Sequence, residues 1–89
     1  MMYPFMKLND ETEITHSQIL EEGGVQKVEV YFERPTENGF DCARAVLPDY
    51  KWLKVEGYTQ ERIDFFDQLL RANAHLFYKY AAQGGVKIA

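Results

Sequence analysis

Apolar and polar positions alternate most cleanly between Val25 and Pro35, where Val28, Val30 and Phe32 fall on one side and Lys27, Glu29, Tyr31 and Glu33 on the other. A period of two belongs to a half-buried antiparallel strand, because successive side chains of an extended backbone point to opposite faces. Gly23-Gly24 separates this run from residues 12–22, and a glycine pair between two β-like runs predicts a tight hairpin whose central residues need positive φ. Within the first arm, Ile14 to Leu20 reads as strand, with a short helix capped by Thr15 or Ser17 and closed by Gly23 as the competing pattern. Pro35 to Gly39, ending in Asn38-Gly39, predicts a second turn. Phe40 to Leu47 then returns as a strand ended by Pro48-Asp49, and Tyr50 to Glu56 adds a further short strand with Leu53 and Val55 on one face. Phe5 to Leu8 is a candidate edge strand.

After Gly57 the period changes. Thr59 is a good N-cap, Glu61 and Asp64 stand where a helix dipole favours acid, Lys79 stands near the other end, and Gly84-Gly85 supplies the stop. The expected fold is therefore α+β, a three- or four-stranded antiparallel meander (about 12–22, 25–35, 39–47 and 51–56) packed against one long C-terminal helix (about 60–83) in a single domain spanning 1–89. Val28, Val30, Phe32, Leu47, Leu53 and Val55 are expected to meet Ile63, Phe66, Leu70 and Phe77, with the tail 86–89 too short to place.

The helix carries more apolar surface than one sheet face can hide. At about 100° per residue, Ile63, Phe66, Leu70, Ala74, Phe77 and Ala81 form one stripe, and Phe65, Leu69, Ala72, Leu76 and Tyr80 an adjoining one. Together they cover roughly 200° of the circumference, where covering a sheet takes little more than about 100°. Either loops and the N-terminal segment cover the second stripe, or another chain does. The expected contact is Phe65, Leu69, Ala72, Asn73, Leu76 and Tyr80, since Tyr80 suits a partly wet surface and Asn73 lies inside the apolar arc, where a single amide can fix register. Tyr78 and His75 are expected on the polar side with Asp64, Asp67, Gln68 and Arg71.

Composition strengthens the case for association. A chain of 89 residues sits near the lower limit for folding alone, its single Cys42 excludes an internal disulfide, and no paired Cys/His spacing suggests a zinc site. Of the usual supports for small domains, oligomerisation is the one left, with a dimer favoured and a different protein partner as the alternative. The net charge of −4 arises in the first 45 residues, which hold four basic against nine acidic side chains. No Lys/Arg cluster is present to neutralise phosphates, so nucleic acid is not the expected partner. No apolar run approaches the roughly 20 residues of a membrane span, and no export signal is read near the N-terminus, so a cytoplasmic protein is expected.

Candidate chemistry is thin. Cys42 with His16 or His75 is the nearest thing to a nucleophile and base, and a cysteine in a strand-like run beside small residues is usually a packed small hydrophobe. Neither a Gly-rich phosphate loop nor a nucleophile elbow is present, and no metal or other cofactor is expected. Tyr50, Trp52 and Tyr58, with Pro48, gather before the helix and form a candidate ligand surface for a peptide or base; extending the core against the helix is the plainer use of such rings. The function expected from the sequence is thus a non-enzymatic interaction or regulatory module that self-associates through its C-terminal helix. A regulator associated with a small molecule or nucleic acid, using the sheet face or the aromatic cluster, is the alternative.

Overall fold

Among the described residues six antiparallel strands and one helix follow one another: β1 (Tyr3–Lys7), β2 (Glu13–His16), β3 (Leu20–Glu22), β4 (Val25–Thr36), β5 (Gly39–Leu47), β6 (Lys51–Glu56) and α1 (Gln60–Ala82). These come from a computed structural model that describes residues 2–83. The α+β class is as expected, but the sheet has six strands rather than three or four. Its order is β1-β2-β4-β5-β6, with β3 paired to β4 beyond the end of β2.

One of the added strands has a local cause. The expected single strand over 12–22 is split into β2 and β3, which pair with successive stretches of the 12-residue β4. At the break, Ser17 continues the pairing in a different form: its N–H donates to Glu29 O at 2.9 Å, while its Oγ accepts from the Glu29 N–H at 3.0 Å. A side-chain oxygen here replaces a backbone carbonyl, a substitution that Ser makes easily and that interrupts a ladder without orphaning Glu29. Gly23 and Gly24 take φ of 59° and 82° in the hairpin that joins β3 to β4, as the tight turn requires. The other addition, β1, is the suggested N-terminal edge, pairing Tyr3 with His16 and Lys7 with Glu13. β4 runs on through Pro35 to Thr36, past the last residue that β2 pairs, where a proline is tolerated.

The core lies between one sheet face and α1. Ile14, Val28, Val30, Phe32, Ala43, Ala45 and Leu47 meet Ile63, Phe66, Leu70, Phe77 and Ala81, with the Phe32 and Phe66 rings stacked at 4.3 Å. Leu53 and Val55 are not part of it, and remain 43% and 44% exposed. For Leu53 the reason is a register shift: Ala45 pairs with Trp52 but Arg44 pairs with Lys54, so Leu53 is the extra residue of a bulge, whereas Val55 stays paired with Ala43 on an edge strand that has one neighbour. Trp52 consequently takes the inward position, 5.6 Å from the Phe32 ring, and Leu53 turns to the opposite face beside Val46 and Leu20. α1 begins at the Thr59 cap, whose side chain accepts from the Arg62 N–H at 3.3 Å, and ends at Ala82, just short of the expected 83. The predicted Gly84-Gly85 stop and the tail 86–89 lie outside the described residues.

Candidate interaction surface

Burial along α1 follows its angular pattern. Ile63, Phe66, Leu70, Phe77 and Ala81 are buried against the sheet. The adjoining stripe is graded: Leu69, Leu76 and Tyr80 are half-buried, Ala72 is exposed and Phe65 is 44% exposed. Part of this grading is the work of β1 and the turn after it. Phe5 lies 4.2 Å from the Phe77 ring and 6.1 Å from Tyr80, and both Phe5 and Leu8 pack against the core. The N-terminal segment thus covers the buried border of the second stripe, leaving its outer border, led by Phe65 and Ala72, in solvent. Beside Phe65 a shallow cleft of about 240 Å³ opens between Leu8, Asn9, Asp10 and Arg62.

Asn73 stands half-buried in the arc, and its Nδ2 donates to Leu69 O one turn back at 2.9 Å. The amide therefore has a partner within its own helix. His75 is exposed as expected. Tyr78, expected on the polar side, instead packs against the core and donates from its hydroxyl to Gln26 O at 3.0 Å, tying the helix to the start of β4.

The three aromatic residues near the helix start have separate surroundings. Tyr58 is buried, its ring edge-on to Phe66 at 5.0 Å and its hydroxyl 3.0 Å from Thr12 Oγ1. Burial pushes that phenol above its ordinary pKa, which keeps it protonated near neutrality. Trp52 leans on Phe32, and Tyr50 is half-buried beneath the Arg71 guanidinium, 4.2 Å from the ring centre. The packing of Trp52 and Tyr58 is that of rings extending the core.

A charged cluster that sequence reading missed closes the end of the molecule where α1 starts. Arg34 Nη1 donates to Asp10 Oδ2 at 3.1 Å and Arg34 Nε to Asp41 Oδ2 at 3.1 Å, while Arg62 Nη2 donates to the same Asp10 oxygen at 2.7 Å. Arg34 also lies over the Tyr58 ring, and Arg62 over Phe65 and Phe66. Asp10 accepts from the Thr12 N–H at 3.0 Å. Desolvation raises its pKa, but the hydrogen bonds from Thr12 and the charges of Arg62 and Arg34 outweigh that and hold it below the usual aspartate value. Contacts spanning 24 and 52 residues have no periodic signature, so no spacing in the chain announces them.

His16 and Cys42, the candidate base and nucleophile, lie apart. His16 is fully buried among Tyr3, Phe5 and Phe77, with Nδ1 2.8 Å from Ser17 O. Cys42 is half-buried on the sheet face away from α1, its Sγ 3.8 Å from Glu56 Oε2. Among the described residues no group of three His, Cys, Asp or Glu side chains is placed to hold a metal ion, and no helix is long and apolar enough to cross a membrane. Comparison with known proteins found no family model, no curated protein and no solved structure that matches the chain.

Proposed function

We propose that this protein is a non-enzymatic interaction module that works as a homodimer formed on the outer border of α1. The exposure of Phe65 carries this reading. A large ring held in place by a helix, continuous with Ala72 and the half-buried Leu69, Leu76 and Tyr80, forms an apolar strip of the kind found at the centre of protein contacts. Both sheet edges are less suited to the task. β1 carries Pro4 and a register irregularity, and β6 carries Lys51, Lys54 and the bulge at Leu53, devices that discourage strand addition.

Absolute mass by light scattering on a sizing column, over a wide concentration range, tests the reading. Wild-type protein is expected to run as a dimer, and Phe65→Asp to raise the dissociation constant by at least about 30-fold while leaving the circular dichroism spectrum unchanged. Phe65 is the clean probe because it lies outside the buried core; Leu69 packs against that core, so a charge there disturbs fold and contact together. A monomer at every concentration overturns the proposal, as does a dimer indifferent to Phe65→Asp.

A further inference from the structure

Resting on the helix-mediated dimer proposed above, we infer that its occupant is a second copy of α1 docked antiparallel, with Glu61 of each copy paired to Lys79 of the other. The starting observation is a census of charge on the helix. Arg62 is held by Asp10, Asp67 and Arg71 are paired at 2.9 Å, and Asp64 accepts from Gln60 at 2.9 Å. Glu61 and Lys79 are the charged side chains of α1 left without an ion-pair or hydrogen-bond partner from another side chain among the described residues, and both are exposed.

Their placement is what points to a partner. They are opposite in sign and 18 residues apart, which at 3.6 residues per turn is five turns, so they share one azimuth and stand about 27 Å apart along the axis. That azimuth lies about 40° from Phe65 and about 20° from Ala72, on the solvent side of the apolar strip. Charges flanking an apolar seam set the orientation of helix pairs. A parallel copy would set Glu61 against Glu61 and Lys79 against Lys79. An antiparallel copy brings opposite charges together at both ends at once.

The same orientation packs the strip. With Phe65 of one copy against Leu76 of the other, Leu69 falls against Ala72, and Glu61 comes within one residue of facing Lys79. Two-fold symmetry repeats each contact, so large side chains meet small or half-buried ones throughout. Ala72, exposed near the middle of the helix, permits the close approach that such packing needs. Helix polarity alone accounts for an acid in the first turn and a base in the last. It asks for no common azimuth.

Charge exchange separates the two explanations. Glu61→Lys and Lys79→Glu, made singly, are each expected to raise the dimer dissociation constant about tenfold, since each removes two pairs and creates two repulsions. The double variant Glu61→Lys/Lys79→Glu is expected to return to within about threefold of wild type. It carries both unfavourable placements relative to the helix dipole, and its two groups are too far apart to meet within one chain, so recovery reports a contact between chains. A dimer broken by Phe65→Asp but unmoved by either single exchange, or one weakened further by the double exchange, overturns the antiparallel register and leaves the helix-mediated dimer standing. A protein monomeric at all concentrations overturns both.

Discussion

Gly57 shows how one atom decides a position. Its φ of +87° is a conformation that L side chains rarely adopt, and a Cβ built there falls 2.0 Å from Asp41 Oδ1 and 2.6 Å from Asp41 Cγ. In sequence this glycine marks the boundary between β6 and α1; in the fold it is also the space that lets Asp41 face Arg34. Gly57→Ala is therefore expected to destabilise the protein by about 2 kcal/mol, through backbone strain and displacement of an ion-paired carboxylate, measured by urea denaturation. Gly23→Ala tests the first of these alone, because its φ is also positive but its Cβ meets nothing within 4 Å, and a loss near 1 kcal/mol is expected.

At the scale of elements, the amphipathic helix was the most readable part and the last strand the least. Ile63, Phe66, Leu70 and Phe77 are all buried where the 3.6-residue period places them, because a rigid helix carries its phase along its whole length. β6 obeys a period of two only until the bulge, where one unpaired residue inverts the phase and exchanges Leu53 for Trp52 at the core. Mutations should follow the observed phase. Phe66→Ala, which empties the centre of the core, is expected to cost about 4 kcal/mol, whereas Val55→Thr on the exposed edge costs less than about 0.5 kcal/mol. A loss of several kcal/mol at Val55 in thermal denaturation would restore it to the core.

For the whole molecule, the Asp10 cluster does what a disulfide does in other small domains. It joins the turn after β1, the far end of β4, the start of β5 and the first turn of α1 through side chains at most a third exposed. Since the folded state holds Asp10 below its ordinary value, the unfolded chain binds the proton first on acidification. Its contribution to stability is complete above the ordinary aspartate range and is lost as pH falls through and below it. Unfolding free energy measured between pH 6 and pH 2 should therefore decline, and Asp10→Asn should flatten that decline while lowering stability at pH 6. An unchanged slope in the variant would show that other carboxylates carry the acid dependence.

By itself the sequence determined the class of fold, the position and phase of α1, the alternation of β4 and the Gly23-Gly24 hairpin. Each of these rests on neighbours in the chain, whose spacing sets which face a side chain occupies. Tertiary structure alone decided the division of β2 from β3, the bulge that reverses Leu53 and Trp52, the burial of Tyr58 and Tyr78, and the union of Asp10, Arg34, Asp41 and Arg62. These depend on which strand lies beside which and on groups up to 52 residues apart, and no local period records such distances. The surplus apolar arc of α1 belongs to both levels: its existence follows from composition and period, while how much of it β1 leaves exposed follows from the packing of Phe5 and Leu8.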